Sequence, residues 1–199
     1  MTQEGGRSGR YVMARVAAIL LPVVLVAAIV GVIVARRGAG QPTGPDLSTV
    51  TFVASPVPQD RPAPAFRLPA LSGTGSVSLA QYPRTIVVLN LWASWCGPCR
   101  QESPDLESVW RLFGSLNVQF LGIDEQDSRA SAGAFVTEFG LTYPMAFDAS
   151  GTLATSYGAI GLPSTYVIDG SGTIRFRFLG PVDPADLRSV LHQLVAESG

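Results

Sequence analysis

From Val16 to Ala35 the chain is almost wholly apolar, uncharged, and interrupted only by Pro22 and Gly31. At ~1.5 Å rise per residue such a run spans roughly 30 Å as a helix, the thickness of a bilayer's hydrocarbon core. It has no polar face, which argues against a helix buried in a soluble core. A membrane-spanning helix over 16–35 is therefore predicted, with Pro22 tolerable in its second turn. A cleaved secretory signal is the alternative. Signal cores are usually about 7–15 residues, shorter than this one, and Arg36 and Arg37 follow at once, although Gly38, Ala39 and Gly40 keep cleavage open. Arg7, Arg10 and Arg15 precede the run, so the positive-inside bias favours, by a narrow margin, a cytoplasmic segment 1–15 and everything after 37 outside.

Residues 36–60 are rich in Gly, Pro, Ser and Thr and read as a linker, extended by Pro42, Pro45, Pro56 and Pro58. Val50, Phe52 and Val53 are a short strand signal within it. From about 61 to 199 the pattern becomes that of one domain. Ile86 to Trp92 is a nearly continuous apolar run, as expected of a central strand covered on both faces. Leu106, Val109, Trp110 and Phe113 follow at helical spacing. Val118–Ile123 reads as a second buried strand, and a helix over about 129–139 stops at Gly140. Tyr166–Ile168 is a third strand and Asp169–Gly172 a turn. Ile174, Phe176 and Phe178 then alternate with Arg175 and Arg177, the signature of an antiparallel strand with one wet face, here taken as the sheet's edge. Asp183 caps a last helix with Pro184 in its first position. The order predicts a mixed sheet with helices on both faces, an α/β fold.

Composition adds little beyond this. The chain is 47% hydrophobic and 15% charged, ordinary for a folded protein, and its net charge of −1 gives no reason to expect nucleic acid as a partner.

The chemistry is concentrated in Trp95-Cys96-Gly97-Pro98-Cys99, which holds both cysteines of the chain. The segment follows a buried strand and opens an amphipathic helix. A helix start presents unpaired N–H groups and the positive end of the macrodipole, which stabilise a thiolate, so Cys96 is the expected nucleophile. Cys99, one turn further in, is close enough to close a disulfide with it and is the expected resolving thiol. Pro98 stiffens the first turn without losing a hydrogen bond. Three other readings stand beside the redox one: a structural disulfide, which stabilises little across so short a loop; half of a zinc site, for which there is no second pair and only His192 as histidine; and chance proximity of two buried thiols. No cofactor or metal is called for. Asp124, Glu125 and Asp127 look like a solvated loop at a strand's end, since no calcium-loop spacing is present.

Leu89 to Pro104, with Arg61–Phe66 before it and Tyr157–Thr165 and Asp169–Gly172 after it, resembles the TlpA/ResA/DsbE-like thioredoxins over roughly residues 61–196. The resemblance implies a thioredoxin-like fold preceded by one transmembrane helix, and a redox-active Cys96–Cys99 disulfide. It further implies that Pro163 is cis and faces the cysteines, with Leu162, Pro163 and Ser164, beside Trp95, Gly97 and Pro98, forming the groove for substrate. An ordinary turn proline is the alternative at Pro163. Glu102 occupies the place of a carboxylate that tunes the cysteine pair; a solvated surface glutamate is the competing reading. Asn90 stands where cytoplasmic thioredoxins carry a buried aspartate, and an amide cannot take a proton.

The expected function is extracytoplasmic thiol:disulfide exchange by a single-pass protein of the cell membrane. It would reduce disulfides in exported proteins such as apocytochrome c, in cytochrome c maturation, and be recharged by a membrane electron donor of the CcdA/DsbD type. Alternatives are a general disulfide oxidant or isomerase of exported proteins, a copper-delivery dithiol protein, and a thiol peroxidase. The last lacks the threonine before the cysteine, where Ser94 and Trp95 stand.

Overall fold

The computed structural model describes residues 27–33 and 53–198. Residues 27–33 are helical and exposed, and the rest of the expected span lies outside the described residues. Among the described residues no helix is long and apolar enough to cross a membrane. Residues 53–198 belong to a separate compact unit.

Its elements are β1 (Val57–Pro62), β2 (Arg67–Pro69), β3 (Ser76–Ser78), β4 (Ile86–Trp92), α1 (Gly97–Phe113), β5 (Val118–Glu125) and α2 (Arg129–Phe139). They are followed by β6 (Met145–Asp148), α3 (Thr152–Tyr157), β7 (Ser164–Ile168), β8 (Thr173–Leu179) and α4 (Pro184–Ser198). Six strands make one mixed sheet in the order β1-β8-β7-β4-β5-β6. β4, β5 and β6 run parallel, while β7 is antiparallel to β4 and β8, and β1 is antiparallel to β8.

All seven residues of β4 are buried because the strand feeds two cores at once. Ile86, Val88 and Trp92 join Leu106, Val109 and Phe113 of α1 and Leu187, Leu191 and Leu194 of α4 on one face. Val87, Leu89 and Leu91 join Leu153 and Tyr157 of α3 and the cross-strand Tyr166, Ile168 and Ile174 on the other. Each such side chain stabilises the fold by about 1.5–3 kcal/mol, so an uninterrupted apolar run is what a central strand needs. Trp92 stacks on Phe135 of α2 with ring centroids 4.4 Å apart. Gly122 of β5 makes room for this packing: a β-carbon there would stand 2.3 Å from Met145 Sδ and 2.9 Å from Trp92 Nε1. α2 ends as expected at Gly140, left-handed at φ +59°. The Ala185 N–H donates to Asp183 at 2.7 Å, the expected cap of α4.

Three expectations change. The domain begins before residue 61, because Val57–Pro62 pairs with β8 instead of serving as linker. β8 is consequently an inner strand, and the edges are β1 and β6. β1 suits an edge: Pro58 and Pro62 lack N–H donors and the register shifts between Pro58 and Arg61, both of which discourage pairing with a further strand. Asp124 and Glu125 are not in a solvated loop. β5 runs through both, and they are buried.

Candidate active site

The site lies where β4 ends. Cys96 is the N-terminal cap of α1, and its Sγ accepts the Cys99 N–H at 3.2 Å. The two sulfurs form a disulfide, with Cα atoms 5.2 Å apart. Cys96 keeps 5% of its surface open and Cys99 none. Attack from outside can therefore reach the first sulfur and not the second. The 17-residue α1 directs its dipole and unpaired N–H groups at Cys96, an environment that favours thiolate. Gly97 and Pro98 are exposed next to the disulfide. The helix runs unbroken through Pro104.

Trp95 is 62% exposed and forms one wall of a cleft of about 420 Å³. Leu162, Gly161, Ala159, Gln126 and Glu125 also line it. The Leu162–Pro163 peptide is cis. The antiparallel pairing of Leu91 with Ser164 brings Pro163 level with Trp92, at the same end of the sheet as the cysteines. Ser164 is fully buried, and its hydroxyl donates to the Gly161 carbonyl at 2.8 Å, so this side chain braces the loop from inside and does not face the cleft. Ile160, in contrast, is 87% exposed.

Glu102 is not a solvated surface residue. It is 3% exposed, one turn beyond Cys99. Its Oε1 accepts from Asn90 Nδ2 and its Oε2 from the Val182 N–H, each at 2.9 Å. Asn90 also donates to Thr165 Oγ1 at 2.9 Å. Burial pushes the Glu102 carboxyl up to about 7 in spite of these two bonds. A group half-protonated near neutrality can take a proton from an adjacent thiol and return it.

Sequence reasoning missed the backbone of Val182 and the hydroxyl of Thr165 as partners of this carboxylate. It also missed Tyr143, buried, whose phenol is raised by burial and by the charges of Glu102 and Glu107. Nothing in the spacing announces a partner 80 residues away. Among the described residues no group of three His, Cys, Asp or Glu side chains could hold a metal ion. His192 packs against Phe113, the last residue of α1, at 4.9 Å between rings. The length of α1, roughly 24 Å at 1.5 Å per residue, separates it from Cys96, so it cannot complete a copper site with the dithiol.

Comparison with known proteins agrees with this geometry. The AhpC/TSA family profile matches residues 60–177. The thiol:disulfide interchange protein DsbE of Allochromatium vinosum is 32% identical over 143 residues, covering 69% of this chain and 75% of that protein. The thiol-disulfide oxidoreductase ResA of Geobacillus thermodenitrificans is 29% identical, covering 66% of this chain and 75% of that one. The crystal structure of a DsbF homologue from Corynebacterium diphtheriae superposes with a TM-score of 0.65 at 32% identity, covering 78% of this chain and 99% of that one. With more than half its length matched, the chain belongs to the thioredoxin-like AhpC/TSA family, and its relatives there are thiol:disulfide oxidoreductases of the DsbE and ResA kind.

Proposed function

We propose that the protein reduces disulfides of exported polypeptides outside the cytoplasm while anchored to the membrane by residues 16–35. The observation that carries the reading is the asymmetry of the cysteine pair: one cysteine on a helix start with a small part of its surface still open, the other sealed behind it one turn from a buried carboxyl.

In the reduced protein the Cys96 thiolate attacks a substrate disulfide. A mixed disulfide forms, and the first substrate sulfur leaves and takes up a proton. Cys99 gives its proton to Glu102, and its thiolate attacks Cys96 Sγ. The second substrate sulfur leaves as a thiol, and the Cys96–Cys99 disulfide closes. Two electrons pass to the substrate. The exposed groups Trp95, Gly97 and Pro98 and the loop before Pro163 hold the substrate chain meanwhile.

A Gly-Pro pair between the cysteines resembles reducing thioredoxins (about −270 mV) more than strong oxidants such as DsbA (about −120 mV). A reductant outside the cytoplasm needs recharging, which a membrane donor of the CcdA/DsbD type would supply. Apocytochrome c awaiting haem attachment is the substrate this lineage suggests.

A Cys99→Ala variant tests the exchange step, because the mixed disulfide on Cys96 then has no resolving thiol. Reducible adducts of exported proteins are expected in cells. Their absence, together with failure of the wild-type protein to reduce insulin, refutes the exchange function. Protease accessibility of the domain in cells stripped of their outer layers tests the topology, and complete protection overturns it.

A further inference from the structure

The connection between β5 and α2 is fastened to the two residues that precede Cys96. Asp127 Oδ2 accepts the Ser94 N–H at 2.8 Å, and the Gln126 carbonyl accepts Trp95 Nε1 at 3.3 Å. The other Asp127 oxygen accepts the Ser128 N–H at 2.6 Å, and Ser128 in turn caps α2 by accepting from the Ser131 N–H at 3.1 Å. Gln126 is itself pinned, with φ +50° and its N–H on the Asp148 carbonyl at 2.9 Å. Between buried Ala93 and Cys96, the exposed turn is thus held from the side by one carboxylate and one carbonyl. Asp124, at the end of β5 and three residues before Asp127, is fully buried, with no hydrogen-bond partner for either oxygen among the described residues.

We propose that Asp127 is a positioning residue for the exchange reaction: its carboxylate, bonded to the Ser94 and Ser128 N–H groups, fixes the Ser94–Trp95 segment and so the direction in which Cys96 presents its sulfur. The inference rests on the thiol:disulfide exchange reading. The charged groups that act on Asp124 are Asp127 in the loop, Glu125 next to it on β5 and Arg129 at the start of α2. Burial, and then the Asp127 charge, push Asp124 up to about 8. Burial acts on Asp127 in the same direction, but hydrogen bonds from Ser94 and Ser128 outweigh it and hold this carboxyl below the usual range. At neutral pH one proton therefore resides on Asp124 and one charge on Asp127. Above about pH 8 both are charged, and their repulsion strains the hold on Ser94.

The test uses the full chain in detergent, reduced, reacting with oxidised glutathione between pH 6 and 9, with rates divided by the thiolate fraction from ultraviolet titration. Asp127→Ala should lower the rate about tenfold at pH 7, as expected for a misplaced reacting atom. Asp127→Asn, which still accepts from Ser94, should recover most of that rate and lose the decline above pH 8. Wild-type rate and pH profile in Asp127→Ala, whatever its melting temperature, overturns the proposal. If that variant does not fold, the profile of Asp127→Asn decides, and an unchanged alkaline decline counts against the pair. No reaction of the wild-type protein would instead refute the exchange reading itself.

Discussion

Asn90 and Glu102 are hydrogen-bonded across 2.9 Å in the interior, one from the central strand and one from the cysteine helix. The amide saturates one carboxylate oxygen while Val182 saturates the other. The carboxyl is thus held in place without a cation beside it, and burial sets its protonation near neutrality.

The first prediction concerns this carboxyl. Glu102→Gln keeps the shape but cannot accept a proton, and its amide would turn a donor toward either Asn90 or Val182. Resolution of a preformed mixed disulfide on Cys96 should slow at least tenfold at pH 7, consistent with the usual size of general acid–base effects, and the limb near pH 7 should vanish. Rapid-quench measurement from pH 5 to 9 checks it; an unaltered limb assigns the proton to solvent.

Asn90→Asp puts a second carboxyl within hydrogen-bond distance of the first. Two carboxyls so placed cannot both ionise, so one proton is retained well above neutrality. The limb that Glu102 sets near 7 should move to higher pH in this variant. The same kinetics read the shift, and a limb that stays in place would mean the two groups had moved apart.

Acidity also acts on stability. Burial raises Glu102 from 4.5 to about 7, Asp124 from 3.8 to about 8 and Glu125 from 4.5 to about 7. Groups raised in the folded state favour folding below their unfolded values and lose that contribution as pH climbs through the folded ones. Between about pH 4 and 8 the denaturation midpoint should therefore fall. Asp127, Asp148 and Asp169 are lowered, so their contribution is lost only on acidification below about 4. Urea midpoints at pH 5 and 8 give the sign directly, and a higher value at pH 8 contradicts it.

Gly122→Ala tests the packing behind the site. The new methyl must displace Met145 Sδ and press on Trp92, and overpacking of this kind costs about 1–3 kcal/mol. Met145→Ala in the same chain should return part of that loss, a coupling that a double-mutant cycle measures. Strict additivity of the two substitutions would place the methyl elsewhere.

How much of this was legible in the sequence depended on how far each signal extends along the chain. β4 was plain because it is apolar on both faces, and α1 because its buried positions repeat at helical spacing. β1 was hidden by Pro58 and Pro62, residues depleted in strands, and became a strand only because β8 offers a partner. β6 is four residues long, and α3 is a six-residue helix with no side-chain cap; neither carries enough periodicity to be read. The position of Glu102 one turn past Cys99 was visible, whereas its burial required a loop 80 residues downstream. Asp124 and Glu125 misled for the same reason: acidic letters suggest water, and the α2 and α3 sides of the sheet exclude it.

The direction of β1 has a mechanical consequence. The Ala54 N–H donates to the Pro181 carbonyl, and Ala54 lies against Val182, whose own N–H holds Glu102. The polypeptide thus enters the domain next to the residue that holds the Glu102 carboxylate, at the end of β8 that pairs with Ser164. If the proposed anchoring holds, a leash over 36–53 would span at most about 60 Å fully extended, and that length would cap how far the point of entry at Ala54 could stray from the bilayer.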